Sequence, residues 1–247
     1  KAFTIVELLV VISVIALLAS ILLVSLKSAK DKAQKASGLV FAQQLHNVLG
    51  DHSVGIMEFD EGNGNTVLDL SGFEESCELK PNPPSNAPIW RCAVDDPNNT
   101  PSGEGCSLEF DGIDDYVNAG NLFPTGTSQL TVSSWVYKRD TQDDRVICKS
   151  TGTSVPQHIF CLGIADQTVR VRLHTTTNGG TTNYDAGTIP LNQWTHITFT
   201  YDGSTLKIYK NGVQAQTYPV TGDIISSDQV VTLGNVNTTD NRYLNGI

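Results

Sequence analysis

Residues 194–212 read WTHITFTYDGSTLKIYKNG. Ile197, Phe199 and Tyr201 alternate with His196, Thr198 and Thr200, the period-two pattern of a strand with one buried and one wet face. Asp202-Gly203 and Asn211-Gly212 mark the turns, because both dipeptides accept the backbone geometry of tight hairpins. Upstream, Val169, Val171 and Leu173 alternate with Arg170, Arg172 and His174 in the same way. Many short strands with turns between them predict an antiparallel sandwich or jelly roll. Residues 53–247 are ample for such a core.

The other end of the chain is unlike this. The 247 residues are 39% hydrophobic and carry a net charge of −10, but residues 3–26 hold 19 apolar side chains out of 24. Residues 1–50 carry five lysines against Glu7 and Asp31, a net +3, which leaves −13 for the remainder. An acidic body with no basic field excludes a nucleic-acid binder. Its apolar runs and modest charge exclude a disordered chain. The apolar segment excludes a simple soluble enzyme. The only methionine is Met57, so Lys1 is not a translation start and a segment upstream is expected.

The 24 residues from Phe3 to Leu26, as a helix, span about 36 Å against roughly 30 Å of bilayer hydrocarbon. No glycine precedes Gly38 and no proline precedes Pro81, so nothing breaks the helix. A signal peptide has a shorter apolar core with its small residue after it, whereas Ala2 comes before the run. Glu7 is out of place in a plain anchor. A carboxylate in hydrocarbon costs several kcal/mol, so it marks a functional position. Beyond the span, Ala29, Ala33, Ala36 and Val40, then Phe41, Leu45, Val48 and Leu49, recur at helical spacing. They predict an amphipathic stalk whose apolar stripe packs on the body or on neighbouring helices, ending at Gly50-Asp51. The fold class is therefore α+β, with a long helix over residues 1–50 followed by an all-β jelly-roll sandwich over residues 53–247.

Ala2 followed by Phe3-Thr4-Ile5-Val6-Glu7-Leu8-Leu9-Val10-Val11-Ile12 resembles the N-terminal signature of type IV pilins and pseudopilins, over residues 1–36. The resemblance implies that a prepilin peptidase cuts between Ala2 and Phe3 and that the new Phe3 amine is methylated. It also implies that Glu7 faces the Phe3 amine of a neighbouring pilin subunit during assembly. The physics agrees: carboxylate and ammonium attract strongly in a low-dielectric bundle, and one stagger alone brings them together. Ala2 stands where pilins usually carry glycine, and Val24 where they often carry a helix-breaking proline. Lys27, Lys30, Lys32 and Lys35 follow the span, which taken alone favours a cytoplasmic body. An upstream basic leader is expected to reverse that count.

Residues 53–247 are similar to laminin-G-like, concanavalin A-like jelly rolls. The similarity rests on VGIMEFDEG at 54–62 and DLSG at 69–72, and most specifically on LEFDGIDDYV at 108–117. LTVSSWV at 130–136 and WTHITFTYDG at 194–203 add two further blocks. Such domains usually continue past a final Asn-Gly-Ile, so part of a closing strand is expected beyond Ile247. Cys148 and Cys161 lie in adjacent predicted strands, 146–149 and 158–162, which makes a cross-strand disulfide plausible. The resemblance implies a second pair, Cys92 with Cys106, flanking the insertion before the Asp111-Gly112 turn. Cys77 is left over or competes for Cys92. Two disulfides imply an oxidising compartment.

Active-site motifs do not emerge. Glu58-Phe59-Asp60-Glu61 lacks the alternation that puts catalytic acids on one strand face, and the five histidines are scattered. Calcium is the expected cofactor. Asp60, Asp111, Asp114 and Asp115 fall in motifs that resemble those of calcium-binding relatives, and hard cations take carboxylate oxygens. Side chain-to-backbone capping of a tight turn accounts for the same aspartates without a metal. Arg170, Arg172 and His174 project one way from their strand and are the candidate glycan-binding residues, against an ordinary solvated strand face. Trp135 and Trp194 belong to core blocks; Trp90 and Tyr184 are assigned to loops as weak stacking candidates.

The sequence therefore reads as a pilin-like subunit, minor or at the tip, in the bacterial inner membrane before assembly and in a periplasmic or surface filament afterwards. Its head is adhesive and glycan-binding rather than catalytic. A secretion or competence pseudopilin and a membrane-tethered carbohydrate-active enzyme are the rival readings.

Overall fold

The computed structural model describes residues 5–49, 52–72, 76–80, 87–122, 126–152, 157–236 and 242–247. Ala2 and Phe3, and the Gly50-Asp51 helix stop, lie outside the described residues. Helix α1 (Ile5–Leu49) runs unbroken for 45 residues, as the absence of glycine and proline in its first half requires. Fifteen strands follow among the described residues: β1 (Thr66–Val67), β2 (Cys77–Lys80), β3 (Ile89–Cys92), β4 (Cys106–Asp111), β5 (Tyr116–Asn118), β6 (Leu130–Tyr137), β7 (Asp144–Ser150) and β8 (His158–Ala165). Next come β9 (Thr168–His174), β10 (Thr181–Thr188), β11 (Trp194–Tyr201), β12 (Thr205–Lys210), β13 (Val213–Pro219), β14 (Val231–Leu233) and β15 (Asn245–Gly246).

The strands form two layers. The large sheet has the order β1-β2-β5-β14-β7-β8-β9-β10. The facing layer joins β13-β12-β11-β6 to β15-β4-β3. The join is the chain's last residues: Ile247 and Tyr137 exchange backbone hydrogen bonds at 2.7 and 3.1 Å, and Gly246 pairs with Phe110. Val117, Leu162, Ile164, Val169, Val171 and Leu173 from one layer and Val136, Ile197, Phe199, Leu206 and Ile208 from the other form one apolar cluster. Alternation is why this works: every second side chain of each strand faces the other layer. The Asn211-Gly212 turn closes β12 and β13 with positive φ at both residues, 49° and 75°, the geometry the dipeptide predicts. Asp202-Gly203 opens a three-residue loop instead, in which Asp202 Oδ1 accepts from the Ser204 and Thr205 amides.

Both expected disulfides are present, Cys92–Cys106 across β3 and β4 and Cys148–Cys161 across β7 and β8. Cys77 is buried and joins neither.

Two expectations about faces are corrected. His196 and Thr198 are 2% and 0% exposed, so the second face of β11 is not wet. Helix α1 covers it. Phe41 stacks on Tyr209 at 5.4 Å and meets His196 edge-on at 5.8 Å, and Trp135 tilts against His196 at 5.0 Å. Trp135 is therefore a helix-docking residue, not a residue between the sheets. The docking stripe of the helix matches the expected one at Phe41, Leu45 and Leu49 and is offset from it elsewhere. Ala29, Ala33, Ala36, Val40 and Val48 are exposed, whereas Asp31, Lys35, Gly38, Ala42, Leu45 and Leu49 are partly or fully covered. Those positions recur at intervals of three and four, one face of a helix. Gly38 decides the offset, because only a residue without Cβ lets the backbone approach the Trp135 ring.

The N-terminal half of α1 behaves differently. Each large apolar side chain described between Ile5 and Leu26 is 46–82% exposed. The segment is long and apolar enough to cross a membrane by length and composition.

Candidate functional site

The β4–β5 turn gathers the acidic motif. Asp111 ends β4, and its Oδ1 accepts from the amides of Ile113 at 2.8 Å and Asp114 at 3.3 Å. Asp115 folds back, and its Oδ2 accepts from the Asp111 amide at 2.8 Å. The turn-capping reading of these aspartates thus holds for three oxygen contacts. It leaves one atom unexplained: Asp115 is 3% exposed, and its Oδ1 has no hydrogen-bond partner among the described residues. Oxygens from Asp111, Asp114 and Asp115 lie within 4.8 Å of one another. Burial, reinforced by the charges of Asp111, Asp114 and Glu109, pushes the Asp115 carboxyl up to about 7. A buried carboxylate with an idle oxygen beside two further acids suits a hard divalent cation. Glu109 is engaged elsewhere, in ion pairs with Arg91 and Arg139. Asp60 is corrected: its Oδ1 accepts from the Cys106 amide at 2.9 Å, beside Gly105, and it does not belong to the acidic group.

The outer face of the large sheet carries the basic residues. Arg170 makes a two-pronged ion pair with Asp185 of the edge strand β10, at 2.6 and 2.8 Å. Arg172 is 3% exposed, and His174 is half-buried. The expected wet trio is therefore corrected: one member is neutralised, one is buried, and only His174 keeps the expected character. What replaces the trio was not legible. Arg145 and His158 are fully buried, and together with Arg242 they act electrostatically on the Arg172 neighbourhood. The signal is hidden because β7 and β8 are buried along nearly their whole length, so no alternation marks an outer face.

The aromatic candidates also resolve. Trp90 lies in β3, packs against the core and donates from Nε1 to the Gly64 carbonyl at 2.8 Å. Tyr184 lies in β10, packs against the core and pairs with Tyr218. Trp194 donates to the Asn98 carbonyl at 2.8 Å and contacts Tyr137 edge-on. None is a loop platform.

Residues 111–247 match the laminin-G-type family model described as the concanavalin A-like lectin/glucanases superfamily. The chain belongs to that superfamily. The match begins at the acidic turn and covers more than half of the sequence. Solved structures with TM-scores above 0.5 agree on the fold. The receptor-binding domain of botulinum neurotoxin mosaic serotype C/D is 14% identical, with a TM-score of 0.53 over 78% of this chain and 45% of its own. The binding domain of Paraclostridial Mosquitocidal Protein 1 is 14% identical, with a TM-score of 0.51 over the same shares. This chain spans less than half the length of both. Domain 4 of AbnA, an extracellular arabinanase from Geobacillus stearothermophilus solved with arabinotriose, is 19% identical, with a TM-score of 0.44 over 57% of this chain and 67% of its own. No curated protein matches the sequence at a significant level.

Proposed function

We propose that the chain is a pilin-like filament subunit, minor or at the tip, that displays an adhesive, glycan-binding lectin/glucanase-type head outside the cell. The observation that carries this reading is the division of α1. Its C-terminal half is docked on the head, while its N-terminal half keeps its apolar surface exposed and opens on the AFTIVELLVVI signature with Glu7 in the first turn. An exposed apolar rod beside a fixed head suits packing with other helices, first in the membrane and then in a filament. Co-expression with a prepilin peptidase is expected to yield a chain beginning at Phe3, read by N-terminal sequencing. Glu7→Ala is expected to leave cleavage intact and reduce filament incorporation severely. An uncleaved chain, or incorporation indifferent to Glu7, sinks the reading. A secretion or competence pseudopilin uses the same helix chemistry and differs in its readout: loss of the subunit then blocks protein export or DNA uptake rather than adhesion.

We also propose calcium at the β4–β5 turn, held by Asp111, Asp114 and the idle Oδ1 of Asp115. A cation there supplies the charge that three clustered carboxylates lack, and fixes the turn at the end of β4. Calcium at a hundredfold excess over its Kd is expected to raise the Tm of the full chain in detergent by roughly 5–10 °C relative to chelator. Asp115→Asn is expected to abolish the difference, and Asp60→Asn to leave it unchanged. Equal Tm values with calcium and with chelator in the wild type would exclude the site.

A further inference from the structure

Away from the acidic turn, a second charged group lies inside the head, where the connection from β6 to β7 crosses from one layer to the other. Lys138 follows β6 and Asp144 opens β7, and both side chains are 0% exposed. Lys138 Nζ lies 2.5 Å from Asp144 Oδ2 and 3.2 Å from Asp140 Oδ1, and it donates to the Gln142 carbonyl at 2.7 Å. Asp140 is fixed from its other side. Its Oδ1 accepts from the Gln142 amide at 3.0 Å, and its Oδ2 from Asn245 Nδ2 at 2.8 Å. The last strand closes over the group: Gly246 bridges to Lys138, and a Cβ there would come 3.4 Å from Lys138 Cα.

Two acids against one ammonium leave one negative charge in excess. In a buried place such an excess is met by a proton. The surroundings decide which acid holds it. Burial is the main cause that raises Asp144 to about 6, and the Asp140 charge adds to it against the pull of Lys138. Asp140 moves the other way. Burial opposes its ionisation, but hydrogen bonds from the Gln142 amide, Asn245 and Lys138 hold its carboxyl below the usual carboxylate range. Two neighbouring carboxyls driven apart in this manner are suited to the roles of acid and base. The group thus contains an amine, a carboxylic acid in contact with it, and a carboxylate placed to take the amine's proton. These are the reactants of amide formation. Holding them in contact supplies the entropy that a bimolecular reaction lacks. Joining them also removes two charges that are costly to keep buried as ions.

We propose that Lys138 and Asp144 condense to an isopeptide bond, with Asp140 as the proton carrier. Asp140 takes one proton from the Lys138 ammonium. The free amine attacks Cγ of protonated Asp144, and the Nζ–Cγ bond forms. The nitrogen gives up a second proton to the departing hydroxyl, the Cγ–O bond breaks, and one water leaves. Asp140 ends as the neutral acid. The step consumes no oxidant, metal or nucleotide. The product ties the end of β6 to the start of β7, and so one layer of the sandwich to the other. Reduction does not break it, in contrast to the Cys148–Cys161 disulfide. The proposal is independent of what the head binds.

Mass spectrometry of the full chain, unfolded and reduced, reads the bond directly. The wild type is expected to be lighter than the sum of its residues by one water. Trypsin is expected to release residues 92–139 and 140–145 as one joined pair, with Lys138 uncut. Asp144→Asn is expected to form the same bond with loss of one ammonia in place of water. Lys138→Met lacks the nucleophile and is expected to keep its full mass. Asp140→Asn retains both reactants without the carrier, and most of its chains are expected to stay at full mass. A wild type at full mass overturns the proposal and leaves a buried ion pair. A loss of water that fragmentation places elsewhere, such as a cyclised Asp111-Gly112, overturns it as well. A bond formed undiminished in Asp140→Asn overturns the role given to Asp140.

Discussion

On acidification from pH 7 to pH 4, His196 is expected to withdraw about 3 kcal/mol from the stability of the helix-docked head. The ring lies beneath α1, 2% exposed, with Ser133 Oγ 2.8 Å from Nε2 and with Trp135 and Phe41 against its faces. Burial holds its pKa down at about 4, against 6.5 for a free histidine. Between those values the unfolded chain takes a proton that the folded chain refuses. Its contribution is therefore complete above pH 6.5 and lost as the pH falls toward 4. Asp115 and Asp144 work in the opposite direction, because burial raises them to about 7 and about 6 and their strain is relieved by acid. The wild-type profile alone hides the histidine. Unfolding free energies of wild type and His196→Gln, compared from pH 7 to pH 4, isolate it, since the carboxylates are common to both. The wild type is expected to lose about 3 kcal/mol more than the variant over that window. Parallel profiles would mean that His196 is not buried under the helix.

Gly38→Leu is expected to lift the stalk off the head. A Cβ at position 38 would sit 2.6 Å from Trp135 Cη2 and 3.2 Å from His196 Cβ, and the His196 ring is held between Trp135 and Phe41. Overpacking of this kind costs about 1–3 kcal/mol where the structure cannot yield. Here the helix is the element free to yield, so the cost is expected to appear as undocking. Trp135 fluorescence should shift to the red, and residues 38–49 should become protease-sensitive. Val40→Leu, at a position 59% exposed on the far side of the stalk, serves as the control and should change neither signal. If Gly38→Leu leaves both signals unchanged, the docked arrangement of stalk and head is wrong.

The fold was legible wherever a residue's role is local. Alternation at 169–174 and 197–201 named the inner faces correctly, because side chains on a strand have only two directions to take. Asn211-Gly212 named its turn because both residues must accept positive φ. Cys148 and Cys161 pair because their strands are register neighbours. The acidic turn was found as a group, but Asp60 was included on the strength of its own motif, and only the distant Cys106 amide reveals what it binds.

Legibility failed wherever a second layer decides. Arg172 reads as solvated because its strand alternates, yet the sheet around it is buried on both faces. The helix stripe from Ala29, Ala33, Ala36 and Val40 to Phe41, Leu45, Val48 and Leu49 reads as the docking face because it is apolar, and only Phe41, Leu45 and Leu49 of it face the head. The helix instead docks where Gly38 allows the closest approach, since contact is set by the shape of Trp135 and His196 as much as by hydrophobicity.

Sequence alone determined the division of this protein into a long apolar helix and an acidic jelly roll, because bilayer thickness and strand periodicity act over a few neighbouring residues. Tertiary structure alone decided which face of the helix meets the head, which aspartates share one turn, and which arginines of the large sheet are buried. Those outcomes depend on distances between residues far apart in the chain, and no local pattern encodes them.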